Sequence, residues 1–134
     1  MKHPIFTGSA VAIVSPFNRE TLDVSVLKQL LDFQLGSGTD AIVVCGTTGE
    51  SATMSIREHN AAVEFCVKRV NKRVKVIAGA GSNDTSAAVY LSQHAQDYGA
   101  DALLHVTPYY NKSSQRGLIA HYNAIADATD LPII

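Results

Sequence analysis

The run Gly46-Thr47-Thr48-Gly49-Glu50-Ser51 follows directly on the apolar stretch Ala41–Cys45 and combines two glycines with three hydroxyls. Glycines let a backbone turn tightly enough for its N–H groups to converge on an anion, and hydroxyls can bind a carboxylate or pass a proton. A plain hydroxyl-rich turn into the next helix is the alternative. The Lys-Ser/Thr pair of a Walker-type phosphate loop is absent. A second segment, Thr107-Pro108-Tyr109-Tyr110-Asn111-Lys112, carries two adjacent phenols. A phenol with an ordinary pKa of about 10 is a competent proton donor and relay at neutral pH, and its ring is also a good contact anchor. The pair therefore serves chemistry, packing on a neighbouring subunit, or both.

A third segment, Gly79-Ala80-Gly81-Ser82-Asn83-Asp84, lies where a dinucleotide fingerprint would, but Asp84 occupies its third glycine position. A tight turn, with Asn83 or Asp84 starting the helix that follows, is the simpler reading. His59, His94, His105 and His121 show no metal-ligand spacing and read as structural or solvent-facing, so no metal is expected. Cys45 and Cys66 form no Cys-x-x-Cys pair and read as inert buried thiols.

Short β-branched runs alternating with segments of helical period must position these loops. The strands are expected at Val11–Val14, Ala41–Cys45, Val74–Ala78 and Ala102–Val106, with a further one beginning at Leu131–Ile134. Helices are expected over 24–35, from the Ser55-x-x-Glu58 capping box to Val70, over 85–98 and over 115–128. Core-facing positions are Leu27, Leu30, Leu31 and Leu35, then His59, Ala62, Val63, Cys66, Val67 and Val70, then Ala88, Leu91 and Ala95, then Leu118, Tyr122, Ile125 and Ala126. The units recur roughly every 30 residues without inserted hairpins. That pattern fits either a (β/α)₈ barrel or an open doubly wound sheet, and both place function beyond the carboxyl ends of the strands. Stopping inside an apolar strand favours a fragment of a barrel.

With 134 residues, 46% hydrophobic and 17% charged, the chain is expected to form one domain. A formal net charge of −1 offers no basic excess for nucleic acid. Its apolar runs are too short to span a bilayer, and Met1–Phe6 lacks a signal peptide's apolar run. The expectation is a cytoplasmic protein that engages neither nucleic acid nor membrane.

Phe6-Thr7-Gly8-Ser9, Val11–Phe17, Gly46–Ser51, Ile77-Ala78-Gly79 and Val106–Lys112 together closely resemble the dihydrodipicolinate synthase family. That family belongs to the pyruvate-dependent aldolase and N-acetylneuraminate lyase superfamily. The resemblance runs in order over essentially the whole chain. It implies the N-terminal half of a (β/α)₈ TIM barrel: four βα units plus the start of strand five, with residues 1–134 a single domain fragment. It also implies a lyase of bacterial lysine and diaminopimelate synthesis that works without a cofactor. Pyruvate forms a Schiff base with a lysine on the sixth strand, and the enamine attacks L-aspartate 4-semialdehyde to give 4-hydroxy-tetrahydrodipicolinate.

By matching position, Thr47 and Tyr110 become proton-relay residues, the tyrosine reaching into a neighbouring subunit's site, and Thr47 and Thr48 hold the pyruvate carboxylate. The family's homotetramer, a dimer of dimers, is implied for the parent. Ser51, Ala52, His59, Asn83 and Tyr109 match positions lining the family's allosteric lysine pocket, whereas Ile56 and Ala87 stand where lysine-sensitive members have His and Glu. Loss of that carboxylate predicts weak or absent feedback.

The family's Schiff-base lysine, third relay tyrosine and semialdehyde-binding arginine fall beyond residue 134, and neither Lys75 nor Lys112 stands at the lysine's position. The 134-residue piece alone is therefore expected to be inactive. The alternatives are another pyruvate-dependent aldolase, a flavodoxin-like or nucleotide-binding module, and a non-catalytic half-barrel that self-associates through its open edges.

Overall fold

The computed structural model describes residues 4–134. Met1–His3, the start of the segment read for a leader, lie outside the described residues. The run Ala-Ile-Val-Val forms β4 (Ala41–Val44), buried on both faces, as β-branched residues enclosed by neighbours on each side require. It pairs in parallel with β1 (Ala10–Ala12) and with β5 (Lys75–Gly79), which pairs in parallel with β6 (Ala102–Leu104). Leu103 forms a parallel bridge to Ile133, and Ile134 N–H donates to the Leu103 carbonyl at 2.8 Å, so the last apolar run enters the sheet as expected.

Each helix begins where a side chain can cap it. Asp23 accepts from Val26 N–H to open α1 (Val24–Gly36), and Ser55 and Glu58 close the expected capping box of α2 (Ile56–Val70). Asp84 starts α3 (Thr85–Tyr98), and Ser114 starts α4 (Gln115–Ala126).

Strand order and chain order coincide, β1-β4-β5-β6. Along the central strands the side chains then separate by parity. Ile42, Val44, Val76, Ala78 and Leu103 pack among the helices, whereas Ala41, Val43, Ile77, Ala102 and Leu104 form a second cluster on the opposite face with Ile5 and Phe6. A doubly wound sheet reverses its strand order and carries helices on both faces. Here the order never reverses and, among the described residues, the second face is covered by the N-terminal segment and by no helix, so the winding is that of a (β/α)₈ barrel and not that of a flavodoxin-like module.

Local expectations need correction: β1 ends at Ala12 and not Val14, β6 at Leu104 and not Val106, and α4 at Ala126 and not 128. The first unit does contain a hairpin, β2 (Phe17–Asn18) with β3 (Thr21–Leu22). Its connection is Arg19-Glu20, with Arg19 at φ 58°, and carries none of the Asn-Gly signals that mark such turns. The strand expected to reach Cys45 ends at Val44, because Cys45 turns into the left-handed region at φ 56°. In α4 the buried positions are His121 and Ile125, while Leu118 and Tyr122 are half-buried and Ala126 is exposed.

Candidate active site

At the carboxyl end of β4 the backbone reverses twice. Left-handed Cys45 leads into a 3-10 turn at Thr47–Gly49, and left-handed Glu50 (φ 57°) leads into a second at Ser51–Thr53. Cys45 is almost fully buried, and the strain of its conformation, roughly 1–3 kcal/mol, is held by its surroundings. One constraint comes from Gly79, where a Cβ would collide with the Cys45 carbonyl. Gly81 is similarly crowded by the Val106 backbone. The paired glycines of the third loop thus let strand ends approach one another, and Asp84 caps the helix, as the tight-turn reading anticipated.

This folding sets Thr47 on the wall of two adjoining cavities. One, of about 170 Å³, is bounded by Gly46, Ser51, Gly79, Leu104 and His105. The other, of about 370 Å³, is bounded by Ser51, Ala52, Ile56, His59, Ala87 and Tyr109, among others. Thr48 is exposed at the same turn and lines neither. The residues expected to form a regulatory pocket are thus largely brought together around the larger cavity. Asn83 joins them only through its side-chain amide, which donates to the Tyr109 carbonyl at 3.2 Å.

Tyr110 sits apart from Thr47. It is 95% exposed at φ 68°, and Asn111 N–H donates back to the Tyr109 carbonyl at 2.9 Å. A positive φ at the centre of a three-residue hydrogen-bonded turn describes a γ-turn of the rare, strained kind. The phenol consequently projects away from its own chain and borders neither cavity that Thr47 lines.

Burial dictates the protonation of the surrounding groups. Both thiols are pushed up to about 12 by burial, so Cys45 and Cys66 are protonated at neutral pH and are not nucleophiles, in line with their reading as inert. His59 Nε2 lies 2.7 Å from the Gly79 carbonyl. A carbonyl only accepts, so Nε2 carries the proton and the buried Nδ1 is left as an acceptor with no partner. Desolvation also lowers the pKa of His59.

Ser92 was not singled out from the sequence, and His105, read there as structural or solvent-facing, is the structural kind. Ser92 Oγ donates to the Ala88 carbonyl at 2.6 Å and so accepts from His105 Nε2 at 3.1 Å. Burial, with a smaller contribution from nearby His121, brings His105 down to about 4, so it is neutral at physiological pH. The parity of β6 was the available signal: Leu104 faces the inner cluster, so His105 must face the helices.

Among the described residues no lysine or arginine lines either cavity. Lys75 and Lys72 bind Asp101 at 3.1 and 3.2 Å, Lys68 pairs with Glu64, Lys28 pairs with Asp32, and Lys112 is exposed. The site can therefore hold a carboxylate on hydroxyls and backbone N–H groups and can move protons. Among the described residues its lining offers no amine nucleophile and no cationic side chain.

A sequence model of the dihydrodipicolinate synthetase family matches residues 5–134. The 4-hydroxy-tetrahydrodipicolinate synthase of Acetivibrio thermocellus is 51% identical over 134 residues, covering 100% of this chain and 46% of that protein. The crystal structure of dihydrodipicolinate synthase from Aquifex aeolicus superposes with a TM-score of 0.94 at 51% identity, over 96% of this chain and 44% of that one. The chloride-inhibited enzyme of Acinetobacter baumannii complexed with pyruvate gives 0.91 at 46% identity, over 94% and 44%. The chain spans just under half the length of the curated relatives it matches and corresponds to their N-terminal part.

Proposed function

Because the chain belongs to the dihydrodipicolinate synthetase family, we propose that it forms the first half of a single TIM-barrel domain and supplies the proton-relay and carboxylate-binding part of a Schiff-base lyase. In this reading the full-length enzyme condenses pyruvate with L-aspartate 4-semialdehyde to give 4-hydroxy-tetrahydrodipicolinate in cytoplasmic lysine and diaminopimelate synthesis. An amine outside these residues displaces water from the pyruvate carbonyl to form the imine. Loss of a methyl proton then gives the enamine, whose carbon attacks the aldehyde; the semialdehyde's own amino group next attacks the imine carbon, closing the ring and releasing the enzyme amine. No cofactor takes part.

The observation that carries the reading is the position of Thr47, held by the double reversal after β4 at the wall of both cavities. Its hydroxyl takes and returns the protons of these steps, and together with Thr48 it holds the pyruvate carboxylate through hydroxyl and N–H groups. Tyr110, projecting from its own chain, completes the relay in the site of a second copy. This makes the active enzyme a homo-oligomer, with a dimer of dimers as its full form.

The larger cavity is the counterpart of the family's lysine pocket. Ser51, Ala52, His59 and Tyr109 line it, with Asn83 tied to the Tyr109 carbonyl. Ile56 and Ala87 make part of its wall apolar, so that Glu50 brings the one carboxylate among its described lining residues and an ammonium group finds none at positions 56 and 87. One assay tests both parts of the reading. The full-length enzyme should form product only when pyruvate and the semialdehyde are both present, and excess L-lysine should leave the rate within about twofold. No product from the two substrates would overturn the catalytic reading, and strong inhibition at low lysine would overturn the regulatory one.

A further inference from the structure

The strained turn at Tyr110 is braced from a neighbouring loop. Asn83, between β5 and α3, donates through its side-chain amide to the Tyr109 carbonyl at 3.2 Å. Asn111 returns the contact, its own amide donating to the Asn83 carbonyl at 3.1 Å. With Asn111 N–H on the Tyr109 carbonyl at 2.9 Å, both lone pairs of that oxygen are occupied. The three bonds close a ring across the third and fourth loops, and Tyr110, the one residue between the two braced peptides, is at φ 68°.

A tyrosine gains nothing intrinsic from that conformation. With no Cβ-free residue to relieve the crowding, the backbone would relax to negative φ if the braces were removed, and the ring would swing to a different direction. Tyr110 makes no packing contact that would hold it instead, since 95% of its surface is open.

We propose that Asn83 and Asn111 form a reciprocal amide clamp whose function is to hold Tyr110 in the left-handed conformation that aims its phenol out of its own chain. Both are positioning residues that act through Tyr110. The proposal rests on the reading of Tyr110 as a relay residue and adds to it the pair that orients it.

The test uses Asn111→Asp and Asn83→Asp in the full-length enzyme, each removing one amide donor with almost no change of shape, alone and combined with Tyr110→Phe. Each single variant should lower kcat by about tenfold or more, as a misaimed relay group does, while the KM for pyruvate moves less than about threefold. In the Tyr110→Phe background either Asn change should alter kcat by less than about twofold, because the group it orients no longer has a hydroxyl. Wild-type kcat in both single variants, or an undiminished loss in the Tyr110→Phe background, would overturn the clamp while leaving the relay standing. Wild-type kcat in Tyr110→Phe itself would remove the relay and the clamp together.

Discussion

Replacing Thr47 by Val in the full-length enzyme should lower kcat by about 10² or more, the range that a positioned acid–base group contributes. Valine keeps the shape of threonine and removes only the hydroxyl. Thr47 is exposed in this chain, so folding has little to lose. The melting temperature should therefore stay close to that of the parent, separating a chemical loss from a structural one. Tyr110→Phe should behave alike, since its ring is open to solvent and its backbone is braced by other residues. The double variant should be little worse than either single, because two members of one relay fail as a unit. A kcat within about threefold of the parent in either single variant would remove that residue from the chemistry.

The second large effect is all or none. When the full-length enzyme is treated with pyruvate and borohydride, reduction of the imine should add one pyruvate-derived group per chain, read by mass spectrometry. A 134-residue polypeptide of the present sequence, treated identically, should gain no stable adduct. Among the described residues Lys68, Lys72, Lys75 and Lys28 are engaged with carboxylates and line neither cavity. Lys112, on an exposed loop, lines neither cavity. A stoichiometric adduct on the 134-residue chain would show that one of its own lysines can serve, contrary to the placement of the amine elsewhere in the enzyme.

Much of the scaffold was legible because its signals are local and mutually consistent. The β-branched runs of β4 and β5, the Ser55–Glu58 box and the parity of the buried strands agree with one another. What escaped depends on approaches between distant segments. Nothing in a cysteine announces a positive φ, yet Cys45 adopts one and shortens its strand. The hairpin at Phe17–Leu22 turns on Arg19 and Glu20, neither of which favours such a turn. The glycines of the third loop were visible, but the Cys45 carbonyl and the Val106 backbone that exclude a side chain there could be seen only in the fold.

Within the site, glycines and hydroxyls alone left Gly46–Ser51 open between a carboxylate-binding turn and a plain one. The pairing of Thr47 with Tyr110 came from the family resemblance, not from spacing. The amide clamp was invisible because it joins two loops: of Asn83 and Asp84, either of which could start α3, Asp84 caps it and Asn83 bonds across to the fourth loop.

The central claim is that the two hydroxyls of one relay come from different copies of the chain. Subunit mixing tests it most directly: full-length Thr47→Val and Tyr110→Phe enzymes, each nearly inactive, are dissociated together and reassembled. A mixed dimer contains one site with an intact Thr47 facing the intact Tyr110 of the other chain, so activity should rise well above that of either variant, toward about a quarter of the parent rate for random pairing. If the two groups act within one chain, every site in the mixture keeps one defect. A mixture no more active than the average of its components, with mixed dimers verified by mass, would contradict the account.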